Sequence, residues 1–564
     1  MVQQATAAAA PNIPDSRGIN LFRADPYAEP MLRAYLPADL YAHLLPHFDE
    51  LGHLAGSSLD ELAASADKHL PTLSVRSRAG QDESRVDKHP DYVELERWAY
   101  ERFGLAAMSH RPGVLGWDAP MPPLVKYALS HLFVQAEFGL CCPVSMTDSL
   151  ARTLRRFGTP ELVERVLPQV TALDFDELRQ GAMFMTEQAA GSDISATETR
   201  AEAQPDGTWR LSGDKWFCSN PDAGFAMVLA RSEAQDGLAG VSLFLLPREL
   251  PEGGHNRYRI LRLKDKLGTR SMASGEIRLE GALAWLVGER GRGFQQMADM
   301  VNNSRLSNGM RAAGLMRRSL TEAMYVAEHR QAFGKRLLDM PLMQRQLLKM
   351  TLPTEQARSF VFQTAQALQR ADQGETQARK LVRILTPLIK FRACRDARKV
   401  TGDGMEVRGG CGYIEEWVEP RLVRDAHLGS IWEGTSNIVA LDVLRAIRKN
   451  DCLAALRLHV ENLLAEGLPC APHLAALQAE SLDKACELAE AAVRDDRSDL
   501  ARQAASALYH LVSLAAMRSE ARHAGLERRN ELADLVLQHR LAPRDPCAAA
   551  EPLADCGALL AGRG

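Results

Sequence analysis

The run Met183-Phe184-Met185-Thr186-Glu187-Gln188-Ala189-Ala190-Gly191-Ser192-Asp193 stands where the chain changes character. Before it, Leu36 to Leu51, Pro90 to Phe103 and Leu124 to Phe138 repeat apolar residues every three or four positions, the spacing of helices with one buried face. Between them, Ala79 to Asp87 is polar and reads as a loop. From Gly181 to about Gly288, turn signals (Pro205-Asp206-Gly207, Ser212-Gly213-Asp214, Glu280-Gly281) punctuate short runs such as Trp209-Arg210-Leu211, Phe225 to Ala230, Val241 to Leu246 and Glu276 to Leu279. That is a strand signature. Helical periodicity returns at Phe294 and persists to about Ala371. A second helical segment, Thr376 to Val400, carries Pro387 and is expected to kink or divide there. A helix follows Glu433 to about Arg448. The tail from Asp451 is helical and ends in a loose Pro543-Arg544-Asp545-Pro546 stretch. The expected fold is mainly α with a central β domain. Residues 1–180 are helical, 181–290 β and 291–450 a helical bundle, with an extra helical region at 451–564.

At 564 residues the chain exceeds one core, and its 46% hydrophobic and 25% charged content is that of a soluble globular protein. No run approaches the roughly 20 apolar residues of a membrane span, so no membrane association is expected. Met1 to Ala10 lacks a cationic start and a long apolar stretch; it reads as a frayed tail, and a cytoplasmic location is expected. The ten cysteines include the pair Cys141-Cys142 but no Cys-x-x-Cys, so neither a zinc site nor a disulfide framework is expected.

One short segment carries unusual chemistry: Ile431-Trp432-Glu433-Gly434-Thr435-Ser436-Asn437, just after Arg424-Asp425-Ala426-His427. A carboxylate between Trp432 and a glycine turn, with Ile431 and Ile438 nearby, faces an apolar wall that suits it to take a proton from carbon near neutral pH. The alternative is a helix-start glutamate that favours the helix dipole.

Four motifs in order, Met183 to Asp193, Arg330-Gln331-Ala332-Phe333-Gly334, Gly409-Gly410-Cys411-Gly412-Tyr413 and Trp432-Glu433-Gly434-Thr435, together resemble the acyl-CoA dehydrogenase family of flavoproteins. Asn20-Leu21-Phe22, Asp87-Lys88-His89-Pro90 and the long tail resemble its AidB-like branch. The resemblance covers residues 1 to about 450 well and the tail poorly. It implies N-terminal helices, a β-barrel-like middle domain, a four-helix bundle and a homotetramer. It also implies FAD as cofactor, an acyl-CoA or related small acyl substrate, and an electron-accepting flavoprotein as partner.

Residue by residue, the resemblance sets Met185, Thr186, Gly191 and Ser192 against the flavin ring and phosphates. Phe217 stands in place of the usual tryptophan, and Ser219 keeps the hydroxyl beside it. Arg330 and Phe333 match residues that reach a neighbouring subunit's FAD; a guanidinium fork suits phosphate oxygens. Glu406 and Gly410 match a further FAD-contacting stretch, with Glu406 replacing an amide. Trp432, Thr435 and Asn437 flank the base and match the stretch near the flavin and the adenylate. Glu433 falls at the general-base position, and Arg305 and Ser192 fall near the substrate. Asn302 replaces an acid that serves the pantetheine arm. The bland readings are a capped helix start, a buried strand and a solvated helix end.

Gly288-Glu289-Arg290-Gly291-Arg292-Gly293-Phe294 lacks a Rossmann strand before it and reads as a turn into a helix. The AidB-like branch also implies duplex DNA as a partner and protection from alkylation as an alternative function. Charge argues otherwise: the tail from Asp451 holds 12 Lys and Arg against 17 Asp and Glu. Arg518, Arg522, Arg528, Arg529, Arg540 and Arg544 could form a stripe, interrupted by Glu520, Glu527, Glu531 and Asp534. Arg379 to Lys399 is denser, with eight Lys or Arg against Asp396. A flavin oxidase on the same scaffold is a third reading, against which a Glu at the base position speaks.

Overall fold

The computed structural model describes residues 13–547 and 556–561, so the tail reading of residues 1–10 lies outside the described residues. Helices α1 (Ala28–Tyr35), α2 (Ala38–Ala55) and α3 (Ser58–Lys68) lead to a hairpin of β1 (Thr72–Arg76) and β2 (Asp82–Asp87). Helices α4 (Pro90–Arg97), α5 (Pro123–Phe133), α6 (Cys141–Phe157) and α7 (Pro160–Val170) follow. Proline supplies the first residue of α4, α5 and α7, where its missing N–H costs nothing. The Thr159 side chain accepts from Leu162 N and caps α7.

The β2 strand corrects the loop reading of Ala79 to Asp87. Its composition is polar, yet Ser84 and Val86 alternate inward, and Val86 joins the core of the β domain. The Ser84 hydroxyl accepts from Ile260 N at 3.2 Å, tying this arm to the middle domain.

That domain holds β3 (Gly181–Phe184), β4 (Arg200–Ala203), β5 (Trp209–Ser219), β6 (Phe225–Arg231), β7 (Val241–Pro247), β8 (Tyr258–Leu263) and β9 (Ser274–Val287). Pairing runs β6–β4–β5–β9–β7 and returns from β7 to β6, closing a barrel to which β3 and β8 attach. Closure leaves β6 and β7 buried on both faces, hence their continuous apolar runs.

The bundle contains α8 (Gly293–His329), α9 (Pro341–Asp372), α10 (Thr376–Arg408), α11 (Glu419–Gly429) and α12 (Ser436–Asn450). A two-residue-loop hairpin, β10 (Gln331–Ala332) and β11 (Lys335–Arg336), separates α8 from α9, where periodicity suggested unbroken helix. Pro387 does not divide α10. Ile384, Leu385, Leu388 and Ile389 are buried around it, and their packing outweighs the roughly 3 kcal/mol an interior proline costs. The tail forms α13 (Cys452–Glu466), α14 (Pro472–Arg494), α15 (Ala501–His523), α16 (Glu527–Val536) and α17 (Cys556–Ala561), and Pro543 to Pro546 lies in no regular element.

The tail helices share one apolar core with the bundle and the N-terminal helices. Tyr509 of α15 stacks on Phe360 of α9 at 4.8 Å. Buried charges meet at the same junction. Glu355 of α9 pairs with Arg317, Arg358 and, at 2.6 Å, with Arg529 of α16. Arg529 also pairs with Glu520 at 2.6 Å, and Glu520 accepts from the Tyr35 hydroxyl. Arg358 reaches Asp25.

Two buried histidines set an acid limit on stability. Burial, aided by Arg358, pushes His131 down to about 3, and burial beside Arg392 takes His510 well below the ordinary value. A folded value below the unfolded one means the unfolded chain binds more protons as pH drops through 6.5, so stability is full above that pH and lost beneath it. The melting temperature should fall between pH 7.5 and pH 5, and less so in His131→Asn.

Candidate active site

Glu433 sits in the turn between α11 and α12 with φ +54°, and Gly434 follows at φ +99°. A Cβ at Gly434 would meet Ile438 and Val439 at 3.2 and 3.3 Å, so glycine is required there by space and by backbone. The turn is fastened from outside. Arg305 Nε donates to the Glu433 carbonyl at 3.2 Å while its Nη1 pairs with Asp442 at 2.8 Å. Lys390 Nζ donates to the Gly434 carbonyl, and burial pushes this amine down to about 8.

The half-buried Glu433 carboxylate is not simply held against an apolar wall, which corrects the sequence reading. Ser304 Oγ donates to Oε1 and Asn308 Nδ2 to Oε2. These donors lie one turn apart on one face of α8, the spacing that lets two side chains grip the same group. Sequence reasoning missed both. Their only signal was Ser304 and Asn308 at i, i+4 beside the singled-out Arg305. The apolar element is Trp432, which lies 6.1 Å from Phe138 and 4.6 Å from the Arg311 guanidinium.

The β domain supplies a second wall. Trp216 N donates to the Thr186 carbonyl at 2.8 Å, so the Met185–Asp193 loop lies against the end of β5. Glu187 anchors that loop, accepting from Glu198 N, Thr199 Oγ1 and Lys215 Nζ, each at 2.6 Å. Although burial works to raise it, Lys215 and these donors hold Glu187 below the usual carboxylate range. Met185 and Thr186 are half-buried; Gly191 and Ser192 are exposed. Phe217 is 58% exposed on the same strand end, a large aromatic left open to a ligand. Ser219 pairs with Ser274 across β5 and β9. Lys266 Nζ donates to the Ser274 hydroxyl at 3.2 Å, and Ser271 in the same loop donates to Glu137 at 2.9 Å, next in sequence to the Phe138 that faces Trp432. The structure thus gathers Thr186, Phe217 and Ser219 at the β-domain end, and this chain of contacts leads to Glu433.

The structure groups the remaining predicted residues elsewhere. Arg330 lies 25 residues along α8 from Arg305, roughly 37 Å at 1.5 Å per residue. Its Nη1 donates to the Arg408 carbonyl at 3.0 Å, beside exposed Glu406 and Gly410. Arg408, in the matched stretch, turns inward to pair with Glu322 at 2.7 Å and with Glu419. Phe333 forms the hairpin tip at φ +53°, 98% exposed. Thr435 and Asn437 are exposed beside Glu433 at the start of α12.

Two of the six arginines of the stripe read from the tail are withdrawn from the surface. Arg518 is buried against Gln478, Asn530 and Asp534, and Arg529 is buried in the junction described above. Within Arg379 to Lys399, Lys380 pairs with Asp451, Arg383 with Asp442, Arg392 with Asp396 and Lys399 with Asp403. Among the described residues no His, Cys, Asp and Glu group could hold a metal, and no helix is long and apolar enough to cross a membrane.

Comparison with known proteins follows the same divisions. Residues 12–177 match the adaptive response protein AidB N-terminal domain, 182–282 the acyl-CoA dehydrogenase middle domain and 291–448 the acyl-CoA dehydrogenase C-terminal domain. Acyl-CoA dehydrogenase family member 11 of Caenorhabditis elegans is 31% identical over 507 residues, 87% of this chain and 79% of its own. The putative acyl-CoA dehydrogenase AidB of Escherichia coli is 34% identical over 400 residues, 69% of this chain and 71% of its own. Among solved structures, Bd2924 in its apo form superposes with a TM-score of 0.81 at 30% identity, covering 90% of this chain and 99% of that one. C. elegans ACDH-11 in complex with C11-CoA gives 0.85 at 26%, covering 96% and 93%. With its AidB-type N-terminal domain joined to both dehydrogenase domains, the chain belongs to the acyl-CoA dehydrogenase family, oxidoreductases acting on the CH–CH group of acyl-CoA donors.

Proposed function

We propose that this protein is an FAD-dependent dehydrogenase of an acyl-CoA thioester in which Glu433 removes the α-proton. One observation carries the reading: a carboxylate on a fixed turn, gripped by Ser304 and Asn308, joined by that chain of contacts to an exposed aromatic and two hydroxyls on the β domain. Those β-domain groups fit a flavin. Phe217 offers a face to the ring, and Thr186, Ser219 and the backbone of Gly191 and Ser192 offer polar contacts. When bound, FAD accepts the β-hydride.

The chain's own residues then have defined tasks. Ser304 and Asn308 aim the Glu433 carboxylate at the proton it takes. Arg305 and Lys390 hold the turn so that the carboxylate does not swing away. Trp432 and Phe138 exclude water, which strengthens every charge interaction within the site. Arg330 and Phe333 stand too far from Glu433 to serve the same flavin, and this supports assigning them to the FAD of a neighbouring copy in a homotetramer. Reoxidation falls to an electron-accepting flavoprotein.

The test is anaerobic titration of the yellow protein with acyl-CoAs of graded length, following flavin bleaching. No bleaching at any length would remove the reading. Ser304→Ala and Asn308→Ala should each slow flavin reduction roughly 10- to 100-fold, because a hydrogen bond to a charged group is worth about 1.5–3 kcal/mol. The duplex-DNA reading has lost Arg518 and Arg529 from its stripe; binding of short duplex with a steep salt dependence would restore it.

A further inference from the structure

Cations without counter-ions gather where α9, α10 and α15 pack together with the Leu537–Leu541 turn that follows α16. Arg345 and Lys349 stand four residues apart on α9, and Arg395 and Arg398 three apart on α10, the spacing of one helix face. Arg502 lies in the first turn of α15, which holds no acid to match it, and Arg540 and Arg544 follow α16. None of them forms an ion pair among the described residues, and Arg398 Nε is buried with no acceptor. The nearby acids are taken. Asp396 pairs with Arg392 at 2.6 Å, Asp403 pairs with Lys399 at 2.9 Å, and Asp545 accepts from Cys547 N.

These side chains stand close enough to repel one another. Burial, then Arg502, Arg398 and Arg392, lower the Arg395 guanidinium. Burial, Arg392 and Arg544 together lower Arg540 despite Asp396. Arg544, Arg345, Arg540 and Lys349 all act on His539, which burial already lowers. A chain of net charge −4 does not crowd like charges for want of acids. Their repulsion, to which the positive end of α15 adds, is offset when an anion sits there.

The arrangement says which anion. A single phosphate or carboxylate would answer some of these cations and leave the rest. A second copy of the same face would double the repulsion. A duplex backbone, or any broad acidic surface, spreads its charges and would meet the exposed Arg345, Lys349, Arg502, Arg540 and Arg544, but Arg395 and Arg398 are half-buried. Several charges carried close together on a narrow chain reach both sets, and a guanidinium fork suits phosphate oxygens.

We propose that this junction of tail and bundle binds a compact polyphosphate, the run of linked phosphates that a nucleoside triphosphate carries. The site does not depend on the dehydrogenase reading.

The experiment is calorimetric titration of the whole protein at low salt with inorganic triphosphate, ATP, orthophosphate and a short DNA duplex. It uses wild type, Arg345→Glu, Arg502→Glu and Lys484→Glu, the last at an exposed cation on α14. Triphosphate and ATP should bind roughly 10-fold or more tightly than orthophosphate, and lose that advantage as salt rises from about 0.05 to about 0.5 M. Arg345→Glu and Arg502→Glu should each weaken binding roughly 10- to 100-fold, the loss expected with a hydrogen bond to a charged group, while Lys484→Glu leaves it unchanged. Equal affinity for triphosphate and ATP assigns the binding to the phosphate chain alone; tighter ATP adds a contact to the nucleoside. Without ligand, Arg502→Glu should raise the melting temperature at low salt, because repulsion is relieved. Failure of triphosphate and ATP to bind, orthophosphate binding as tightly, or equal losses in Lys484→Glu would overturn the site. Duplex binding more tightly than triphosphate would overturn it in favour of an extended backbone. A lower melting temperature in Arg502→Glu would make the cations structural and overturn it too.

Discussion

Glu433→Gln protein should purify yellow and bind FAD as the wild type does, yet reduce its flavin with substrate roughly 10³- to 10⁴-fold more slowly. The range follows from what a positioned base contributes to proton transfer. The substitution preserves size; its amide oxygen still accepts from Ser304 and its nitrogen can donate to Asn308 Oδ1 once that amide turns over, so the turn, its fastening by Arg305 and Lys390, and the nearby β-domain surface stay in place. Only the ability to accept a proton is lost. Stopped-flow bleaching under anaerobic conditions is the measurement, and a wild-type rate would show that the base lies elsewhere.

Arg529→Met should lower stability by about 3–5 kcal/mol, the usual result of removing one partner from a buried ion pair. Two carboxylates, Glu355 and Glu520, would be left in a dry junction, one on the bundle and one on the tail. Burial alone would raise Glu355, but Arg358, Arg317 and Arg529 hold it below its ordinary range. Its folded value is thus depressed, and the stability it contributes is present above the unfolded value near 4.5 and lost as pH falls through the folded one. Denaturant titration at pH 7 checks the magnitude. Adding Glu520→Gln should return part of the loss, since the carboxylate whose cation was Arg529 then carries no charge, while Glu355 keeps Arg317 and Arg358. An unchanged midpoint in Arg529→Met would mean that the junction contributes nothing net.

The large divisions were legible because period is a property of short windows. The change near Gly181 from three-and-four spacing to turn-punctuated runs marks where β3 begins, and the return at Phe294 marks α8. Local pattern fails where structure depends on distant residues. Ser304 and Asn308 are ordinary polar residues on a helix until Glu433 arrives from more than 120 positions away. Arg518 and Arg529 count as tail cations in a sequence tally, yet their acceptors withdraw them from any surface. The β2 strand was hidden by its outward charges, and the β10–β11 hairpin by its two-residue strands. Pro387 was over-read because the cost of a proline is local while the packing that offsets it is not.

The left-handed backbone at Glu433 sets the protein's activity against its endurance. A β-carbon-bearing residue with φ +54° costs of order 1–3 kcal/mol, which only the surrounding ties sustain. Glycine there would relax the chain and discard the carboxylate in one step. Any laboratory selection for heat resistance alone should therefore drift toward inert proteins at this codon, unless turnover is demanded alongside survival.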